Sequence, residues 1–236
     1  MKRNKIHEIY VGEIKTHGTE NAEDPFDDKY ITAGYKAPIN GSVFLSTLGL
    51  TGDEQADKRF HGGKEKALFM YPKENYLELS CELGKEIPVG GNGENISIIG
   101  INERDVCVGD VYQLGESVIE VSQPRRPCWK PARRHRALDF SKTIQDLGIT
   151  GWYFRVIQEG KITKDDTLKL LKRPCKEWTI KKVNDVMYVY TDNLGLAESL
   201  IDCEYIPESF KKTLRARLRG EEESQISRLY GPNINA

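Results

Sequence analysis

Apolar and β-branched residues dominate residues 7–14 (HEIYVGEI), a texture that predicts a strand. The polar, turn-rich stretch 17–29 predicts a surface loop. Next comes an Asn40-Gly41 dipeptide between apolar residues, the favoured signal for a two-residue hairpin, and then a turn at Gly52-Asp53. Ala67–Tyr71 is a continuous apolar run of the kind found in a buried strand, and Pro72 is expected to open a helix reaching about Leu83. Beyond the loop Gly90-Gly91-Asn92-Gly93, Glu94–Ile99 predicts a short strand. Residues 105–123 alternate well enough for two strands joined at Gly115-Glu116. A helix is expected from Phe140 to Leu147, stopped by Gly148, and then strands at Gly151–Gln158 and Asp166–Leu171. Many short strands, glycine turns and few helices before residue 173 predict a closed or nearly closed β-barrel.

After Pro174 the period changes. Trp178–Tyr190, Leu194–Ile201 and Pro207–Leu218 have helical spacing, and Ile180, Val183, Val186 and Met187 form one apolar stripe. The fold class read from this pattern is mainly β (α+β), a barrel-like domain over residues 1–173 and a small three-helix domain over 174–236. The helices are expected to pack on the barrel or on a partner subunit, which leaves a homodimer open.

Composition narrows the function classes. The 236 residues carry 35 Lys+Arg against 36 Asp+Glu, so neither a globally basic nucleic-acid binder nor an acidic tail protein is the expectation. No run of eighteen apolar residues is present to span a bilayer. Glu8, Glu13 and Lys15 interrupt what would have to be an apolar signal core, so a cytoplasmic location is expected. The five cysteines, at 81, 107, 128, 175 and 203, are odd in number and far apart, which fits neither a disulfide framework nor a paired-cysteine zinc or redox site. Each is read first as a small buried hydrophobe.

One cysteine departs from that reading. From Arg125 through Arg136 the chain holds six Lys/Arg and no carboxylate, and Cys128 lies inside this run. Prolines at 124, 127 and 131 rule out an ordinary helix interior there and favour a rigid, extended backbone. Cationic neighbours stabilise a thiolate over a thiol, so Cys128 has the surroundings of a nucleophile or a metal ligand. The same run would also suit phosphate contacts with Trp129 stacking on a base, and Arg133–Arg136 alone could be a solvated cationic face. Two further concentrations are His61-Gly62-Gly63, a titratable side chain beside backbone that can approach a ligand closely, and Gly93-Glu94-Asn95 after the glycine-rich loop. Each is weak alone; a turn histidine or a strand-capping turn has the same signature. The basic stretch Lys211–Arg219 is read as a solvated face balanced by Glu221–Glu223.

Taken in order, GDEQAD, HGGKEKALFMYP, GENIS, VGDVYQLGESVIEVSQPRRPCWK and GWYFRV resemble the MOSC-domain family, related to the C-terminal part of molybdenum cofactor sulfurases. The resemblance spans nearly the whole chain and is greatest to the stand-alone bacterial YiiM-like branch, which carries a C-terminal three-helix domain. It implies a barrel-like domain that binds the molybdenum cofactor (molybdopterin), with Cys128 as the protein ligand to molybdenum. It further implies that His61, Gly62, Gly63, Glu94 and Asn95 line the cofactor pocket and that Arg125 holds the pterin phosphate, with Arg155 a weaker candidate for the same anion. The implied reaction is two-electron, two-proton reduction of an N-hydroxylated small molecule, such as a hydroxylamino base analogue, to the amine and water, with His61 or Glu94 delivering a proton. No dinucleotide fingerprint or flavin motif is visible, so electrons are expected from a separate reductase. The alternatives are a sulfur carrier or cofactor-sulfuration protein holding a persulfide on Cys128, and nucleic-acid binding through 125–136.

Overall fold

The structure, a computed structural model, describes residues 4–221 and 224–235. Strands β1 (Lys5–Val11), β2 (Lys15–His17), β3 (Tyr30–Thr32), β4 (Ala37–Pro38), β5 (Val43–Ser46) and β6 (Gly49–Leu50) precede the one-turn helix α1 (Lys58–His61). A 3-10 turn at Lys64–Lys66 leads into β7 (Leu68–Pro72), α2 (Asn75–Leu83) and β8 (Ile96–Ile99). Then come β9 (Val111–Leu114), β10 (Ser117–Pro124), α3 (Lys130–His135), α4 (Phe140–Leu147), β11 (Trp152–Gln158), β12 (Gly160–Ile162) and β13 (Lys169–Lys172). The chain closes with α5 (Ile180–Tyr188), α6 (Leu194–Ile201), α7 (Glu208–Leu218), α8 (Ile226–Leu229) and a 3-10 turn at Gly231–Asn235.

Eight strands form one curled sheet, a half-barrel in the order β13-β9-β10-β11-β7-β8-β1-β4. A second sheet, β12-β5-β6, and the pair β2-β3 flank it. Among the described residues every pairing between these strands is antiparallel except β7 with β8. Parallel neighbours need a long crossover, and here α2 with the glycine loop after it supplies that connection. The crossover delivers Asn92 and Asn95 to the start of β8, one wall of the functional cleft. The continuous apolar run of β7 is buried at all five positions because both sheet faces are covered there. Met70, Trp152 and Phe154 belong to the main core, whereas Phe69, Tyr71, Tyr76, Leu79, Phe140 and Ile144 form a second cluster under α2 and α4.

The predicted helical stripe is buried as expected: Ile180, Val183, Val186 and Met187 join the main core together with Leu200, Phe210 and Leu214. The helical segment therefore shares its apolar interior with the half-barrel. Arg155 also ties the two parts, bonding Glu65 at 2.7 Å and Glu120 at 2.7 Å and donating to the Tyr205 carbonyl at 2.8 Å. Among the described residues no helix is long and apolar enough to cross a membrane. Glu222 and Glu223, expected to balance Lys211–Arg219, lie outside the described residues; Glu221 pairs with Arg219, and Arg217 donates to the Val186 and Met187 carbonyls.

Local expectations diverge at three places. Asn40-Gly41 makes its turn, with Gly41 at φ +82°, but not a hairpin: β4 pairs with β1, and β5 pairs with β12 and β6. The strands on either side find better-buried partners elsewhere, and the real tight hairpin joins Ser46 to Gly49. Pro72 ends β7 and does not open α2. The segment after Cys128, expected to be extended, turns helical at Lys130, with Pro131 in the first turn where its missing N–H costs nothing.

Glu103, 3 % exposed, organises a backbone corner behind the cleft. Its Oε1 accepts from Gly151 N at 2.8 Å and Asn75 Nδ2 at 2.9 Å, and the Gly151 carbonyl in turn accepts from Arg125 N. Gly151 sits at φ +66°, and a Cβ there would lie 2.5 Å from the Met70 carbonyl oxygen, so only glycine fits the corner. Burial pushes Glu103 up to about 7, against partial relief from these hydrogen bonds. An acid whose pKa is raised by folding keeps its proton longer in the native state, so stability falls as pH rises between the unfolded value near 4.5 and about 7. That loss is expected to be roughly 3 kcal/mol, and Glu103→Gln should remove it. Denaturant titrations at pH 5 and pH 8 on both proteins check this.

Candidate functional site

The segment that carries Cys128 leaves the sheet at a bulge. Val121 faces Phe154 and Gln123 faces Tyr153, so Ser122 is an extra residue in β10; its hydroxyl donates to the Glu65 carbonyl at 2.5 Å and the Tyr153 carbonyl at 3.2 Å. A bulge bends its strand and re-aims the residues beyond it. Here those residues are Pro124-Arg125-Arg126-Pro127-Cys128, a segment closed by the start of α3 and by Ser141 Oγ donating to the Cys128 carbonyl at 2.5 Å.

Arg125 is 5 % exposed and fully engaged. It donates from Nη1 to Asn92 Oδ1 at 3.1 Å, points Nη2 at Cys128 Sγ at 3.9 Å, lies 5.1 Å over the Phe69 ring, and hydrogen-bonds Tyr153. Burial opposes ionisation of Cys128. The nearby His61, then Arg125 and the Lys130 backbone N–H outweigh that, and the thiol comes down to about 6. At neutral pH it is a thiolate. Cys107 shows the opposite balance: burial and the nearby Asp110 push that thiol up to about 11.

Cys128, His61 and Arg125 open onto a cleft of about 780 Å³, counting the space at its mouth. Lys36, Lys66, Lys130 and Arg134 also line it, against the carboxylates Asp53 and Glu54. Lys36 and Asp53 form a pair at 2.5 Å whose side chains are 8 % and 3 % exposed. Asp53 also accepts from Asn95 Nδ2 at 2.9 Å, and Asn95 Oδ1 accepts from Phe69 N at 3.1 Å. Lys130 donates to the Ile31 carbonyl, and Arg134 donates to the Gly34 and Gly90 carbonyls while lying 4.9 Å over Tyr35. Asn92 lines the cleft, and its buried Nδ2 has no hydrogen-bond partner among the described residues. A buried amide donor of this kind calls for an acceptor that enters the cleft.

The structure brings together Cys128, His61, Arg125 and Asn95 at this cleft, and it places other candidates elsewhere. Glu94 is fully buried behind the glycine loop, accepting from Tyr76 Oη at 2.6 Å and Gly90 N at 3.0 Å; it holds the loop and is not on the cleft wall. Burial pushes its carboxyl up, with the Tyr76 and Gly90 bonds opposing. Gly62 and Gly63 come after His61 in the chain without lining the cleft, and Arg155 is spent on its two carboxylates and the Tyr205 carbonyl. Of the other cysteines, Cys107 and Cys203 are buried as expected, but Cys81 is exposed on α2 and Cys175 only half-buried. Tyr35 and Lys36 lie outside every motif read from the sequence, Asp53 and Lys66 lie inside the motifs GDEQAD and HGGKEKALFMYP without standing out in them, and Arg134, expected on a solvated face, lines the cleft. In the rest of the basic run, Arg133 is buried, stacking on Tyr30 and Trp129 and bonding Asn233, whereas Arg136 stays exposed and pairs with Asp24 and Asp27 at the surface.

Comparison with known proteins gives the family. Residues 57–169 match the MOSC domain and residues 178–221 match the YiiM-like, 3-alpha helix domain. The chain is 34 % identical to protein YiiM of Escherichia coli strain K12 over 95 % of this chain and 97 % of that one. It is 36 % identical to a protein named "Reductase" of Gibberella moniliformis over 80 % of this chain, spanning about a third (34 %) of that longer protein. The crystal structure of YiiM from Geobacillus stearothermophilus superposes with a TM-score of 0.74 at 30 % identity, covering 91 % of this chain and 98 % of that one. The half-barrel, the ordered motifs and the appended helices thus agree with near full-length similarity, and the chain belongs to the YiiM-like branch of the MOSC-domain family.

Proposed function

We propose that the cleft binds a molybdenum cofactor with Cys128 as the protein ligand to the metal, and that the protein is an oxidoreductase reducing N-hydroxylated small molecules to amines. The observation that carries this reading is the Cys128 sulfur, 3.9 Å from the buried Arg125 guanidinium, inside a cleft lined by further cations. The donor set fits such a group. Among the described residues no cluster of three or more His, Cys, Asp or Glu side chains could hold a bare metal ion. A metal already chelated by pterin sulfurs needs only one soft protein donor, and Cys128 offers one. Lys66, Lys130 and Arg134 supply positive charge for a phosphate-bearing anion, Lys36 being neutralised by Asp53, and Asn92 supplies the free amide donor.

When bound, the cofactor supplies the two-electron redox centre for cleaving the N–O bond. The chain's own residues do the rest. Arg125 keeps Sγ ionised and, being buried and stacked on Phe69, fixes where the sulfur points. His61, which shares the cleft with the sulfur, is the group placed to hold and deliver a proton; Glu94 is too far inside the loop scaffold to share that task. The balance is R–NHOH + 2e⁻ + 2H⁺ giving R–NH₂ + H₂O, with electrons from a separate reductase. The fungal relative named "Reductase", of which this chain spans about a third, supports a redox role. Nucleic-acid binding loses ground because Arg133 is buried against Tyr30, Trp129 and Asn233 and the charge of Arg136 is offset by Asp24 and Asp27.

The test is to supply the purified protein with molybdopterin, assay bound metal and pterin, and follow amine formation from an N-hydroxylated purine with a chemically reduced dye as donor. Stoichiometric binding with amine product is expected. No binding under these conditions refutes the proposal, and a persulfide found on Cys128 by intact mass would favour the sulfur-carrier alternative.

A further inference from the structure

The last described segment of the chain returns to the cleft from the far side. Arg228 bonds both neighbours of Cys128 at once: its Nη1 donates to the Pro127 carbonyl at 2.6 Å, and its own carbonyl accepts from Trp129 N at 2.9 Å. Its Nη2 reaches Gln145 Oε1 on α4 at 2.7 Å. Five residues on, Asn233 is completely buried. It accepts from Arg133 Nε at 2.7 Å and donates to the Trp129 carbonyl at 3.3 Å. Between them Gly231 lies flat on the Trp129 indole, where a Cβ would come within 2.4 Å of the ring. Tyr230 Oη donates to Asp139 at 3.2 Å.

We propose that residues 225–233 are a clamp on the Cys128 loop, with Arg228 and Asn233 as positioning residues for the thiol. None of them lines the cleft, so the clamp acts through residues 127–133, by the backbone of Pro127 and Trp129 and by the side chains of Trp129 and Arg133. Two hydrogen bonds flanking a single residue remove most of its freedom to move relative to fixed partners. Here Sγ faces Arg125 Nη2 at 3.9 Å, a side chain anchored by Asn92 and Phe69 outside the clamped segment, and shares its cleft with His61. Coulombic support falls with distance, so a loosened loop weakens both together. The role holds for any chemistry performed at Cys128 and does not depend on the cofactor.

The experiment uses the full chain in three forms, wild type, Arg228→Gln and Asn233→Ala. Hydrogen exchange of the peptide spanning residues 127–133 is followed by mass spectrometry, beside thermal melts and beside alkylation of Cys128 by iodoacetamide at pH 8. Each variant should speed exchange in that peptide by ~10-fold and change the Cys128 alkylation rate by at least ~3-fold, while β7 and β11 exchange as in the wild type. Cys107, which is buried, is the internal control and should stay inert throughout. A variant that melts earlier yet leaves both the exchange of residues 127–133 and the alkylation of Cys128 as in the wild type would show a merely structural tail and overturn the proposal. Loss of the fold in both variants overturns it as well, because the tail would then be a folding element.

Discussion

Cys128→Ser is expected to abolish retention of the molybdenum cofactor and to reduce N-hydroxyl reduction by at least ~100-fold, since losing a metal's own ligand should exceed the 10–100-fold loss from disturbing the groups around it. The hydroxyl is nearly isosteric, but it stays protonated at neutral pH and is a hard donor where a soft one is required. Serine also leaves Arg125, 5 % exposed, facing a neutral group. The stability consequence has a definite sign. Folding lowers the Cys128 pKa from an ordinary 9.0 to about 6, so its contribution is complete above the unfolded value and disappears as pH falls through about 6. At pH 7, one unit above the folded value, the thiolate contributes ~1 kcal/mol. The wild type should therefore exceed the serine variant in stability by an amount that grows from pH 6 to pH 9, as read from denaturant midpoints. A difference that is flat with pH would mean that Cys128 is an ordinary thiol.

Why Cys128 was legible and the rest of the cleft was not has a physical explanation. A cationic run interrupted by prolines concentrates its chemistry within a dozen residues, so the nature of the neighbours can be judged before any fold is known. The same holds for β7, whose apolar run has one stable solution, and for the stripe Ile180, Val183, Val186 and Met187 on α5. Glu94 shows the limit of that reasoning. A carboxylate next to a glycine loop can face the cleft or support the loop from behind, and only the position of Tyr76, eighteen residues earlier on α2, decides between them. Lys36 and Asp53 are seventeen residues apart, and their pairing depends on β4 joining β1 instead of β5. Where a function rests on long-range pairing, the local pattern carries no trace of it. The half-barrel's open edges, β13 and β4, result from the same kind of non-local choice.

Arg125→Gln is expected to produce the second-largest change, and it separates the electrostatic from the steric role of the arginine. Glutamine retains an amide donor for Asn92 but removes the buried cation 3.9 Å from Sγ and the contact with the Phe69 ring. An opposite charge at this range depresses an acid's pKa by ~1–3 units, so the Cys128 midpoint should rise from about 6 towards the ordinary thiol value of 9.0. For a rise of ~2 units, the thiolate fraction at pH 7 falls about tenfold. Alkylation at pH 7 should slow by the same factor, whereas at pH 9.5 the variant should nearly recover. Arg125→Lys keeps the charge but cannot fork between Asn92 and the sulfur while stacking on Phe69, so its midpoint should fall between the two. The order wild type, lysine, glutamine is the discriminating result. If all three proteins titrate alike, His61 and the Lys130 N–H alone hold the thiolate, and Arg125 is left with a packing role in the wall of the cleft.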